Sequence, residues 1–313
     1  MSNIINKRSG PYATDRLTWM DSLRGFAIVL VLVQHSVTIP QWDGYEGSVV
    51  LGTVNAFFQP YRMPLLLVLS GLLLPKSLRK PLGVYFSGKA RRILWPLMLW
   101  TLVIWALSPP SLDDPSSIVG PRHLWFLVVL AGCYAVSPLT KWAPPWLMAL
   151  MAASIPVLIS ADESSVLNLA GYVAFFMIGA AATDLLPRWQ DVNFAFPALL
   201  GIIAFGWGVA QVSGLNLEWL PSPLMSVIGI ASLLWLAPHL PNLQWAQWIG
   251  RHSMVYYIAH VPIMIVAWGG LRGVGVTQRE VISLILLAMA TMMCLAMARA
   301  RWAQWLFQWP TRG

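Results

Sequence analysis

The sequence predicts an all-α, polytopic transmembrane helical bundle of about ten spans, with both termini in the cytoplasm. Three observations lead there. Hydrophobic residues make up 58% of the chain and charged residues only 10%, whereas a soluble domain carries about 25% charged residues. The apolar residues fall into repeated blocks of about 17 to 22, the length of helix that crosses a bilayer. With the N-terminus placed inside, fifteen of the twenty Lys and Arg residues fall in segments on the inner side, the bias that marks a cytoplasmic face.

Taken in order, the predicted spans are 18–37, 54–74, 90–107, 122–140, 145–160, 165–186, 194–213, 222–238, 253–271 and 280–298. Their even number returns the chain to its starting side. Residues 1–17 read as a cytoplasmic N-terminal tail, 18–298 as one ten-span membrane domain and 299–313 as a cytoplasmic C-terminal tail. The first span ends in Gln34-His35-Ser36-Val37 without a small-residue cleavage site, so it reads as a retained helix rather than a signal peptide. Pro64, Pro96 and Pro262 lie inside apolar blocks, which membrane helices tolerate when neighbours satisfy the freed carbonyls. The loops near 38–53 and 75–89 are too short to fold alone. The net charge of +8 follows topology, so it points to no nucleic-acid partner. Segment 75–92 is the most basic; topology control and a phosphate contact both account for it. Cys133 and Cys294 lie within spans and form neither a disulfide framework nor a zinc spacing, so no metal site is expected. Tryptophans such as Trp19, Trp42, Trp142 and Trp245 lie near span ends, as interfacial anchors do.

Ionisable residues inside a membrane are costly and face a cavity or a partner. Here they concentrate in the first two spans. Arg24 and His35 are eleven residues apart, about 1100°, so they lie within about 20° on one helical face and roughly 16 Å apart along it. Asp21 lies within about 60° of Arg24 on the same stripe. Arg24 is then at the cytoplasmic end and His35 deeper, toward the outer side. In span two, Asn55, Gln59 and Arg62 form a polar stripe at a depth similar to His35, with Ser70 farther in. The structural readings are a snorkelling Arg24 paired with Asp21, an interfacial His35 and an Arg62 clamped to a carbonyl. His123 opens span four and His260 lies in span nine; each alone is more often a satisfied histidine than a catalyst. The glycine-rich stretch 269–275 reads as a loop, and the chain holds no nucleophile elbow or zinc-protease motif.

A deep histidine sharing a face with a cytoplasmic arginine suits acyl transfer. An acyl-CoA would set its phosphates against Arg24, Arg91 and Arg92 and extend its pantetheine arm inward. His35 would act on the acceptor hydroxyl as general base, or take the acyl group itself as a covalent carrier. Two rivals remain open from the residues alone. A transporter or lipid or glycan flippase would use the same buried charges as a substrate or proton path, although no internal repeat is visible. A non-catalytic scaffold derived from an enzyme would keep the fold alone.

These residues also resemble a family. Asp21-Ser-Leu-Arg24-Gly25 followed by His35 looks like the opening Arg-x10-His motif of acyltransferase family 3, membrane O-acyltransferases of about ten spans. Arg62-Met63-Pro64 and Ser70-Gly71 resemble its second-span segment, and Lys89-Ala-Arg91-Arg92-Ile93-Leu-Trp-Pro96 its basic approach to span three. His123-Leu-Trp125-Phe126-Leu127, the Gly171–Gly179 stretch with Tyr172, and Trp248-Ile-Gly250-Arg-His-Ser253 with Tyr256-Tyr257 and His260-Val-Pro262 continue the likeness from about 16 to 298. The resemblance implies transfer of an acyl group, commonly acetyl from acetyl-CoA, to a hydroxyl of a glycan or lipid-linked sugar in a bacterial cytoplasmic membrane. Acyl-CoA would be a co-substrate, with no permanently bound cofactor. His35, Arg24 and Arg62 would be the catalytic set, supported by Asp21, Ser70 and Asn55. His123, Trp125, Tyr172, Tyr257 and His260 would line the site. Two departures bear on the acceptor more than on the reaction: Ser22 stands where the family often has glycine, and Leu65–Leu69 where it often has phenylalanines.

Overall fold

The computed structural model describes residues 17–107, 122–159, 166–215 and 221–310. The N-terminal tail over residues 1–16 and the last three residues lie outside them. In chain order the α-helices are α1 (Thr18–Trp42), α2 (Val49–Gly71), α3 (Leu74–Leu78), α4 (Leu82–Lys89), α5 (Trp95–Leu107), α6 (Trp125–Val136) and α7 (Pro145–Ile159). They continue as α8 (Val166–Ala182), α9 (Leu186–Gln190), α10 (Ala195–Ser213), α11 (Ser222–Leu236), α12 (Gln244–Arg251), α13 (Ser253–Gly273) and α14 (Arg279–Arg299). Helices α1, α2, α5, α6, α7, α8, α10, α11, α13 and α14 fall on the ten predicted segments. Among the described residues six helical segments, Thr18–Trp42, Val49–Leu78, Ala195–Ser213, Ser222–His239, Ser253–Gly273 and Arg279–Arg299, are long and apolar enough to cross a bilayer by themselves. The protein is a polytopic α-helical membrane bundle. Its outward faces agree: Ile202 of α10 is 69% exposed and Val266 of α13 is 77% exposed, a placement that hydrocarbon chains satisfy and water does not.

Helix α1 is the centre of the bundle. It packs against α2, α12, α13 and α14, while α2 is backed by α8, α10 and α11. Two crossings are closer than any side chain permits. A Cβ on Gly25 would lie 1.9 Å from the Ala246 carbonyl oxygen, and one on Gly250 would lie 1.9 Å from that of Asp21. The same reciprocity joins α2 to α8, where a Cβ on Gly71 would meet Phe176 O at 1.9 Å and one on Gly179 would meet Val68 O at 2.2 Å. Small residues let membrane helices approach backbone to backbone, where dispersion and weak polar contacts replace the hydrophobic drive. The glycines of the first and late motifs, Gly25 and Gly250, therefore serve one crossing, and Gly71 and Gly179 serve the other. Gly25→Ala or Gly250→Ala must push α12 off α1, and overpacking of this kind costs about 1–3 kcal/mol or more. Each is expected to lower the thermal midpoint of the detergent-purified protein, whereas Gly132→Ala, whose Cβ would meet nothing within 4 Å, leaves it in place. An unmoved midpoint in the first pair would remove this account of the crossing.

The third span is not a plain α-helix. A π-helical turn, Ala90–Leu94, joins α4 to α5. There Trp95 N donates to Ala90 O, five residues back. The corresponding partner of Arg91 O would be Pro96, which has no N–H. The freed carbonyl instead accepts from Trp309 N at 3.0 Å. The C-terminal segment is thereby strapped to this helix. The Trp95 and Trp100 indoles donate to Trp305 O at 2.7 Å and Leu306 O at 3.0 Å, and Trp100 stacks on Phe307. At the C-terminal end of α1, the turn that follows is clipped to α13 and α14. Asp43 accepts from the Trp268 indole at 2.8 Å and from Arg272 at 2.6 Å, Glu46 pairs with Arg279, and Ser48 caps α2 while donating to Glu280. The Trp268 hydrogen bond, with Arg272 beside it, holds the Asp43 carboxyl below its ordinary range.

Candidate active site

His35 lies about 26 Å along α1 from Thr18, counted at 1.5 Å per residue. Its ring faces α13. Nδ1 is 3.0 Å from Val31 O, one turn back, and 3.2 Å from Nε2 of His260. The two rings meet edge to face at 4.8 Å between centroids. His260 is fully buried, and its Nδ1 is 2.8 Å from Tyr256 O.

These contacts decide which nitrogen carries each proton. A carbonyl oxygen only accepts, so Nδ1 of His260 holds a hydrogen, and in the neutral ring Nε2 is a lone pair. The same reasoning places a hydrogen on Nδ1 of His35, shared between Val31 O and the His260 lone pair. Nε2 of His35 is then the unprotonated nitrogen. Among the described contacts it has no protein partner, which leaves it available as base or nucleophile.

Arg62 of α2 and His123, just before α6, lie around this pair. Arg62 is buried, and one Nη donates to Asn55 Oδ1 at 2.5 Å and more weakly to Asn55 O at 3.5 Å. It is within electrostatic reach of His35 and of Tyr172. Asn55 and Arg62 thus form the expected stripe. Gln59, about 60° around the helix from Arg62, is instead exposed. His123 and His35 both lie within electrostatic reach of His260. Tyr257, one turn before His260, fixes this region. Its hydroxyl donates to His123 O at 2.5 Å and accepts from Phe126 N at 3.2 Å. Trp125 and Tyr172 form an aromatic wall, with rings 4.7 Å apart. Arg62 Nε and His123 Nε2 are buried without a protein partner. Buried polar groups are nearly always paired, so these two unspent ones, each within electrostatic reach of His35, mark a place for a polar ligand. Among the described residues, no group of three or more His, Cys, Asp or Glu is arranged to hold a metal.

Toward the N-terminal end of α1, Arg24 donates to Leu69 O at 3.2 Å and lies 4.0 Å from the Asp21 carboxylate. This ties α1 to α2 beside Ser70, whose hydroxyl is spent on Leu66 O of its own helix at 2.7 Å. Arg91 and Arg92 diverge. The Arg91 guanidinium turns to Trp309 O at 3.5 Å, whereas Arg92 is exposed. Lys89 was legible only as part of a basic run. In the fold its ammonium sits 3.5 Å from the centre of the Tyr134 ring and 5.6 Å from that of Tyr85. Burial, with Arg92 and Lys80 adding to it, pushes the Lys89 ammonium down to about 8. Tyr85, four residues earlier on the same helical face, was the local signal. Tyr134 is 45 residues away in sequence and gave none.

The sequence profile described as an acyltransferase domain, Acyl_transf_3, matches residues 17–301. That range contains every side chain placed above except Trp305, Leu306, Phe307 and Trp309 of the C-terminal strap. No curated protein and no solved structure matches the chain.

Proposed function

We infer the reaction from the premise that this chain belongs to acyltransferase family 3 and is a membrane-embedded acyl-CoA-dependent O-acyltransferase. The acyl group is acetyl, and the acceptor is a hydroxyl of a glycan or lipid-linked sugar at a bacterial cytoplasmic membrane. His35 is the catalytic residue. The observation that carries this reading is the His35 ring inside the bundle with Nδ1 engaged and Nε2 unspent.

Acyl-CoA approaches from the cytoplasm. Its phosphates meet Arg24, Lys89 and the exposed Arg92, and its pantetheine arm follows the face of α1 that Arg24 and His35 share. On the general-base route, His35 Nε2 takes the acceptor proton as the hydroxyl oxygen attacks the thioester carbon. The C–S bond breaks, and the proton leaves with the CoA thiolate as thiol. On the carrier route, Nε2 attacks first and the CoA thiolate departs; the hydroxyl oxygen then takes the acyl group from the imidazole, and its proton goes to the thiolate, which leaves as thiol. Both routes place negative charge on the thioester oxygen. Arg62, buried and with Nε unspent, is the donor for that oxyanion. Asn55 orients Arg62, and Asp21 orients Arg24.

The deciding experiment supplies acyl-labelled acetyl-CoA to membranes carrying the protein. Base-labile label is then counted in the envelope glycan fraction and on the protein. Label in glycan supports transfer to a hydroxyl, and label trapped on the protein at His35 selects the carrier route. Substrate moved across the membrane without covalent change, with no label from acetyl-CoA or longer acyl-CoAs, would replace this reading with transport.

Lys89 gives the reaction a pH signature. Its folded value near 8 lies below that of an ordinary lysine, so its charge is present below that value and lost as pH rises through it. Phosphate binds the charged form. kcat/KM for acyl-CoA, which reports the free enzyme, is expected to fall above pH of about 8 while kcat changes little. Lys89→Arg, which stays charged, is expected to flatten that limb. A wild-type profile flat to pH of about 9.5 would remove Lys89 from the donor site.

A further inference from the structure

We propose that His260 is the positioning residue of His35: its Nε2 lone pair accepts the His35 Nδ1–H and holds the catalytic imidazole with Nε2 bare and aimed at substrate. The proposal rests on His35 acting as base or acyl carrier. It assigns to a neutral histidine the place that a carboxylate takes in hydrolytic triads, where a third group fixes the tautomer and direction of the catalytic ring.

The geometry carries it in three steps. Tyr256 O, 2.8 Å from His260 Nδ1, forces the hydrogen onto that nitrogen and leaves Nε2 as acceptor. Nε2 lies 3.2 Å from His35 Nδ1, within hydrogen-bond distance, and the rings stand 73° apart. The orienting ring is itself held: it is fully buried between Tyr256 O and His35, and Tyr257 ties the same turn of α13 to the start of α6. Val31 O also accepts from His35 Nδ1, at 3.0 Å, but it belongs to the same helix. It sets the tautomer without fixing the ring relative to α13. The contact from His260 provides that, because it comes from the opposite helix.

During transfer the hydroxyl proton reaches Nε2 and His35 becomes an imidazolium. Its Nδ1–H then donates to His260 with a full charge behind it, and charge-assisted hydrogen bonds are roughly twice as strong as neutral ones. The interaction grows toward the transition state, so its loss appears in kcat. Nothing in it touches CoA, so KM for the donor stays put.

The test compares His260→Leu with His260→Gln, whose amide oxygen reaches near the lost Nε2 and restores an acceptor. Leu is expected to lower kcat by about 10- to 100-fold with KM for acyl-CoA within about twofold, and Gln to recover most of the loss. Equal losses in Leu and Gln, or full kcat in Leu, would overturn the proposal. The wild-type protein gives a second readout that needs no variant to fold. With 15N-labelled histidine in detergent, the protonated His35 Nδ1 is expected to show a scalar coupling across the hydrogen bond to His260 Nε2; a bare Nδ1, or no such coupling, would overturn it. Failure of the underlying reading looks different: wild-type protein then transfers no acyl group from any acyl-CoA, whatever the tautomer.

Discussion

His35→Ala is expected to lower kcat by about 10²- to 10⁴-fold, the range that a positioned acid–base group contributes. KM for acyl-CoA should stay within about twofold, because on the proposed reading the donor's phosphates meet Arg24, roughly 16 Å away along α1. Stability should change little. The hydrogen bonds of His35 run to its own helix and to one neighbour, and net hydrogen bonds contribute about 0.5–1.5 kcal/mol each. The measurement is a steady-state assay on purified protein in nanodiscs, with a thermal melt of the same sample. Undiminished turnover in a well-folded variant would sink both routes through this residue. A tenfold rise in KM with unchanged kcat would make His35 a binding group.

Arg62 carries the second large effect. Arg62→Leu is expected to reduce kcat by about 10²- to 10³-fold, the loss seen when one oxyanion donor is removed. Arg62→Lys should recover little of it. An ammonium cannot satisfy Asn55 Oδ1 with one nitrogen while presenting a second donor from a fixed plane, as the guanidinium does. Asn55→Ala separates orientation from charge. It leaves the guanidinium in place but unclamped, and is expected to cost about tenfold, less than losing the donor itself. If Asn55→Ala and Arg62→Leu cost the same, Arg62 works as a clamp inside the bundle. If Arg62→Lys matches wild type, a point charge suffices and the oxyanion geometry is wrong.

Membership of the acyltransferase family explains why motifs far apart in sequence occur together. Asp21-Ser-Leu-Arg24-Gly25 and Trp248-Ile-Gly250 are the two sides of one crossing, where Gly25 receives the Ala246 carbonyl and Gly250 that of Asp21. Arg62-Met63-Pro64 and Ser70-Gly71 stand on α2, where Gly71 and Gly179 repeat that arrangement against α8. Much of the recognisable pattern is therefore the packing that holds α1 and α2 in register. The polar groups inherit their positions from it.

The sequence by itself determined the bundle, because hydrocarbon solvent imposes a requirement that can be counted along one dimension: about twenty apolar residues per span and every backbone group paired within the helix. It also determined that Arg24 and His35 share a face and that Asn55 lies beside Arg62, since helical periodicity relates residues of one helix. Only the tertiary structure decided which helix meets which. His260 stood 225 residues from His35 with no periodic link to it, and became its partner because α13 packs on α1. Lys89 found Tyr134, Arg91 was taken by Trp309 after Pro96 left its carbonyl free, and Gln59 turned outward from the stripe it was expected to join. The physical reason is common to all four. Periodicity gives each helix its faces, but apposition depends on close backbone crossings and on polar groups that find partners only when another helix arrives.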